Sequence, residues 1–284
     1  MNSEPSPRPR PYWHVDAKWI AGLLLTFVLG PTLLVFGLTQ ATAEEPAVDT
    51  LSMILATSVS RKGLDDETEI AEFRRILAAD ADGEIQPIPG LAITVREADL
   101  ADRTPRELRL WLVRQLAEPL YQGGGEGLAE LATDPEMRLA VGQGVGALSV
   151  FSLETHLLLQ RVLNVLAIVT GVLAIPLVYF SYRFGRLASL GWVLLVAALP
   201  GAALFGFLGW AFNPPPPAPG PEPGIAAMIG PLVGSVLPPL ARVISQTFLA
   251  ALLAGVILLV LSLIGGLVFR RRRQAIQRAD APAA

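Results

Sequence analysis

The sequence predicts an α-helical polytopic membrane protein: four transmembrane helices, with a mainly α (α+β) extracytoplasmic domain between the first and the second. Three observations predict it. Only 17% of the 284 residues are charged, against roughly 25% in an ordinary soluble domain. Four apolar stretches, 19–38, 162–180, 187–212 and 248–269, each approach or exceed the ~20 residues that cross a ~30 Å hydrocarbon core. Lys and Arg gather in the short segments beside these stretches, while the long segment after the first is acidic.

Residues 1–18 are expected in the cytoplasm, because Arg8, Arg10 and Lys18 precede the first span and cytoplasmic flanks carry the excess of basic residues. The first span, 19–39, reads as an uncleaved signal anchor. Its competing reading is a cleaved signal ending at Ala41-Thr42-Ala43, which would leave three spans; the apolar run is longer than the ~7–15 residues of a usual signal core. Arg183 and Arg186 in the short turn 183–186, and Arg270, Arg271, Arg272 and Arg273 in the tail 270–284, place both segments on the inner side too. Spans at 157–182, 187–212 and 244–269 satisfy all these signals at once. Trp19, Trp192, Tyr179 and Tyr182 near the inner boundaries, and Trp210 near an outer one, suit the preference of amphipathic rings for the interface.

The segment 40–156 then faces outward. It holds 21 Asp plus Glu against 10 Lys plus Arg, a net charge of −11 in a chain of net −3. Thr104, Pro105 and Glu107 form a capping box with proline at the first helical position. Leu108, Trp111, Leu112, Leu116 and Leu120 follow along one helical face, and Pro119 is expected to limit the helix. That stripe reads as the domain's own core; Leu108, Trp111, Leu112 and Leu116 are also the candidate face for docking a partner. A further helix is expected from Asp65 to a stop at Gly83, and another from Asp134-Pro135-Glu136. Leu91, Ile93 and Val95 alternate with Ala92, Thr94 and Arg96, a strand pattern in need of a pairing partner, and 122–127 reads as a flexible glycine-rich loop.

Between the third and fourth spans, 213–243 begins with a polyproline spacer, Asn213 followed by Pro214, Pro215, Pro216 and Pro217. Residues 225–240 are apolar but broken by Gly230, Pro231, Gly234, Pro238 and Pro239. That pattern suits an interfacial or re-entrant piece, or a loop packed against the outer domain. Pro31, Pro176 and Pro200 fall inside spans, where neighbouring helices can satisfy the freed carbonyls.

Chemistry-bearing residues are sparse. With no cysteine, thiol catalysis, disulfides and sulfur-ligated metals are excluded, and His14 and His156 flank the first span on opposite sides, far from a shared metal. The run Gly123-Gly124-Gly125-Glu126-Gly127 lacks the spacing and the following Lys of a nucleotide fingerprint. The acidic residues have no calcium-loop spacing. No catalytic, cofactor or metal site is therefore expected. Within the spans no charge lies deep, but Arg161 and Asn164 at the outer end of the second, and Gln246 at the outer end of the fourth, are candidates for an interhelical polar contact. Arg270, Arg271, Arg272 and Arg273 are candidates for anionic-lipid contact, and with no recognition module beside them a nucleic-acid role is not expected.

The order of one span, an outer domain of ~115 residues, two closely linked spans and a fourth resembles the permease architecture of FtsX-type and MacB-type transporters, which transmit motion to outer partners. In those transporters a long cytoplasmic helix between the second and third spans couples to an ATPase; here that turn is only about 181–186. The expected function is a non-enzymatic membrane scaffold or accessory subunit, in a membrane of the bacterial cytoplasmic type, whose outer domain binds a protein partner and whose spans contact lipid. A transport or channel component is the alternative, and a membrane-anchored enzyme the third reading.

Overall fold

The computed structural model describes residues 13–59, 71, 75–76, 84–87, 90–96, 103–144, 146–181, 184–212 and 225–279. Its elements are α1 (Trp13–Ala41), α2 (Glu44–Val59), β1 (Glu84–Ile85), β2 (Val95–Arg96), α3 (Pro105–Glu130), α4 (Pro135–Gly144), a 3-10 turn (Gly146–Phe151), α5 (Leu153–Phe180), α6 (Gly185–Ala211) and α7 (Ile225–Ala279). Four helices are long and apolar enough to cross a membrane: Val15–Ala41, Leu153–Phe180, Gly185–Ala211 and Leu237–Phe269. The chain is therefore an integral membrane protein. Pro31, Pro176 and Pro200 all lie inside these helices without ending them.

Contacts group the chain into two units. The first comprises Met1–Phe36, Val162–Leu204 and Ser245–Ala284. Its packing rests on small residues, as expected where lipid removes the usual hydrophobic drive between helices. Ala21 and Leu25 of α1 meet Leu177 of α5 and Val193 of α6 in one buried cluster. Gly22 faces Leu177 and Val193, and Gly30 faces the Ala197 carbonyl. Thr32 Oγ1 lies 3.1 Å from Thr170 Oγ1, joining α1 to α5. Between α6 and α7 the backbones nearly touch: a Cβ on Gly191 would stand 2.8 Å from the Gly255 carbonyl oxygen and 2.9 Å from Leu259 Cγ. On either side of that crossing an aromatic ring occupies a glycine's missing side chain, Phe248 over Gly201 and Phe184 over Gly265.

These pairs set the helix directions. Rising numbers on α1 meet falling numbers on α5 and rising numbers on α6, and rising numbers on α6 meet falling numbers on α7. Adjacent spans thus alternate in direction. The α5–α6 turn is short and tied down: Ser181 Oγ donates to the Leu177 carbonyl, Arg186 Nε to the Ser181 carbonyl, and Ser262 Oγ of α7 to the Phe184 carbonyl at 2.6 Å.

The second unit comprises Gly37–Arg161 and Phe205–Ile244. Its main core is α2 against α3, with Ala47, Val48 and Leu51 packed on Ala117, Leu120, Tyr121 and Leu128. The α3 start is the expected capping box in full: Glu107 N–H donates to Thr104 Oγ1, and Thr104 N–H donates to Glu107 Oε2 at 2.9 Å. Leu91, Ile93 and Val95 are buried while Ala92, Thr94 and Arg96 are exposed, so the period-2 pattern holds through the whole run. Its pairing partner is Glu84–Ile85, antiparallel, with Arg96 Nε donating to Glu84 Oε1 at 2.7 Å.

Several expectations are corrected. Among the described residues an α+β domain is not shown: the sheet there is two strands of two residues each, and the other regular elements between α1 and α5 are helical. The run from Leu91 to Arg96 buries its apolar face on α3 and on the segment after it, with Leu91 bridged to Ala132. Pro119 does not limit α3. The helix runs on to Glu130 and kinks at Gly124, whose φ of 59° glycine adopts at little cost. The expected loop 122–127 is consequently helical on both sides of one break. Gly127 is needed there because any Cβ would overlap the Pro119 carbonyl. Residues 225–240 are not a loop: the backbone of α7 is helical without interruption from Ile225 to Ala279. The helix expected from Asp65 to Gly83 lies mostly outside the described residues, of which Ala71, Arg75 and Ile76 are helical.

Candidate functional site

The kink in α3 opens a cleft of about 570 Å³ in the second unit. One wall is the backbone of Gly123, Gly124 and Gly125, and the opposite wall comes from α4, the 3-10 turn and the first turn of α5. Glycine carries no side chain, so backbone atoms themselves line this wall. Glu126 and Glu154 are exposed at the cleft, and Leu139 adds an exposed apolar side chain.

Neighbouring groups hold the walls. Arg138 also lines the cleft, but its Nε donates to the Ala129 carbonyl and its Nη2 to the Ala132 carbonyl, so its charge is directed at the carboxy-terminal end of α3. Gln122 Nε2 donates to Glu44 Oε1 at 3.1 Å, linking the rim to the start of α2. Beneath it, Tyr121 is 2% exposed and its hydroxyl donates to the Thr42 carbonyl at 3.2 Å. Burial, and secondarily the Glu44 carboxylate, pushes the Tyr121 phenol above its ordinary range. The phenol therefore stays protonated at neutral pH and remains a donor. Thr42 Oγ1 also lies 3.2 Å from His156 Nδ1, and Gln160 Nε2 3.1 Å from His156 Nε2. On the far end of α3, the Thr104 backbone N–H first, and then its side chain, holds the Glu107 carboxyl below its ordinary value, with Arg103 adding to the effect. Arg103 itself lies 4.4 Å over the Trp111 ring.

Among the described residues the cleft offers two exposed carboxylates, Glu126 and Glu154, while the Arg138 guanidinium is already engaged. Such a surface suits amide and cationic groups of another chain. Among the described residues no group of three or more His, Asp and Glu side chains could hold a metal ion.

The residues singled out from sequence fall elsewhere. Leu108 is buried against Val95, with Trp111 and Leu112 packed beside it, and Leu116 packs on both neighbouring clusters. All four side chains thus meet the chain's own residues. Asn164 and Gln246 are both exposed, and among the described residues no hydrogen bond joins them. Arg161 is exposed in the amino-terminal third of α5. Arg270, Arg271, Arg272 and Arg273 continue the α7 backbone, and their side chains lie outside the described residues. Of the cleft residues, Gln122 and Glu126 fall in the glycine-rich run seen in the sequence, while Arg138 and Glu154 carry no signal there. The meaning of that run depends on α4 folding back across it.

No known family, characterised protein or solved structure matches this chain.

Proposed function

We propose that this membrane protein is a non-enzymatic scaffold or accessory subunit whose region between α1 and α5 binds a protein partner outside a bacterial cytoplasmic membrane. The glycine-walled cleft carries this reading: it presents the exposed carboxylates of Glu126 and Glu154, which suits a basic or amide-rich segment of a partner. The alternating span directions and the placement of basic residues support a path with both termini cytoplasmic and 40–156 outside. The arginines Arg270, Arg271, Arg272 and Arg273 would then meet anionic headgroups, at ~1 kcal/mol for each basic residue near the surface.

Gentle detergent extraction and mass spectrometry of copurifying proteins test the reading when the wild type is compared with a Glu126→Lys, Glu154→Lys variant. Both carboxylates are exposed, so the fold is expected to persist. A partner present with the wild type and lost with the charge-reversed variant is the expected result. Recovery of a pure assembly of this chain that conducts ions in liposomes would overturn it. Reporter fusions after Gly63, Gly185, Gly220 and Ala284 are expected to read out, in, out and in.

A further inference from the structure

Helix α5 has one committed face and one open face. Thr170, Leu173, Ala174 and Leu177 turn toward the other spans, through the bond to Thr32 and the buried cluster with Ala21, Leu25 and Val193. On the opposite side, Asn164, Ile168, Gly171 and Ile175 follow at spacings of four, three and four, the period of a helix–helix seam. Ile168 is 67% and Ile175 68% exposed, and a Cβ on Gly171 would meet nothing. Only 6% of the apolar window of α5 is buried, against 22% for α6.

An apolar face alone would be satisfied by lipid. Asn164 is not. It lies 16 residues before Phe180, ~24 Å along the helix at ~1.5 Å per residue, just within the far edge of a ~30 Å hydrocarbon core measured from the α5–α6 turn, with the exposed Arg161 one turn beyond it. Its carboxamide brings two donors and an acceptor to a depth where acyl chains offer neither. Among the described residues it makes no hydrogen bond and is exposed. A second copy of this chain, turned by a two-fold axis, supplies the missing groups, because an amide is both donor and acceptor and so complements itself across such an axis. Ala167 and Gly171, four residues apart and both exposed, let two backbones approach closely beside that pair.

We propose that two copies of this chain associate in the membrane through this face of α5, with the Asn164 amides hydrogen-bonded to each other across the two-fold axis. The polar pair sets the register of the seam, and Ile168 and Ile175 pack on either side of Gly171. This association is independent of any partner bound at the cleft.

The chain contains no cysteine, so single-cysteine variants of the full-length protein report contacts without background. The purified protein is placed in vesicles of zwitterionic and anionic phospholipid at low density and oxidised. Ile168→Cys and Ile175→Cys are expected to cross-link into dimers, whereas Leu166→Cys and Leu173→Cys, partly buried and facing away, are not. In the same vesicles Asn164→Leu is expected to lower the association constant about 3- to 10-fold, and Asn164→Gln to retain most of it. Asn164→Leu replaces an exposed polar group with an apolar one, so loss of the fold does not confound the result. Equal cross-linking at all four positions, an unchanged dimer with Asn164→Leu, or cross-links only to a different protein in native membranes would each overturn the proposal.

Discussion

The two units of this protein reach their folds by different means. Between α1 and α5, large side chains meet large ones: Leu51, Leu120 and Tyr121 are almost wholly buried, and helix starts are fixed by side-chain caps such as Thr104 with Glu107. Among the spans the close contacts are between a backbone and whatever a glycine admits, as at Gly191 and Gly255 or beneath Phe184 and Phe248. The contrast follows from the solvent. Removing apolar area from water is worth ~25 cal/mol per Å², so bulk stabilises the first kind of core. Between helices already in lipid that gain is absent, and closeness of approach takes its place.

Mutations that reverse these rules should separate the two regions. The largest effect is expected at Leu120, where Leu120→Ala empties a site 1% exposed and should cost about 2–5 kcal/mol, read from chemical denaturation of the purified protein in micelles. The spans should stay helical by circular dichroism while the region around α2 and α3 melts early. Adding bulk tests the other region. Gly191→Leu should destabilise the α6–α7 pair by about 1–3 kcal/mol, seen as a lower melting temperature, because the Gly255 carbonyl and Leu259 cannot both withdraw. Gly206→Leu, the same change at an open position of α6, should leave that temperature unchanged, and equal losses at both positions would erase the distinction.

A smaller effect is expected at the start of α3. Thr104→Ala removes the cap and should cost about 1 kcal/mol. Because the folded state holds the Glu107 carboxyl below its unfolded value, the bond it accepts is fully present above the ordinary carboxylate range. It is lost as pH falls through the lowered folded value. Hydrogen exchange at the first turn of α3 should therefore quicken on acidification in the wild type and show little further change in a Glu107→Ala variant.

Legibility in the sequence followed the same division. The four spans could be read because length and hydropathy are one-dimensional properties, and the Thr104 cap because its partners stand three residues apart. The alternation from Leu91 to Arg96 told correctly which side chains are buried, though not that so few of them pair as strands. Helix α2 was missed. Glu44, Glu45 and Pro46 mark a helix start, but the preceding Ala41-Thr42-Ala43 reads equally as a processing site, and the buried face at Ala47, Val48 and Leu51 becomes evident only against α3. Pro119 reads as a helix limit and the prolines at 231, 238 and 239 as breaks in an apolar segment, whereas each removes a single backbone donor and the flanking helix continues. The cleft depends on a kink whose angle no spacing encodes. Asn164 was legible as a polar outlier; that it faces away from the other spans was not.

The short, pinned turn between α5 and α6 also bears on how the protein is made. Phe180 and Gly185 are separated by four residues, and Leu173 and Leu177 meet Leu190 and Val193 across them. Contacts so near in sequence close with little loss of chain entropy, and they form before partners that are distant along the chain are available. The α5–α6 pair is therefore expected to form as a hairpin before α7 packs on Gly191.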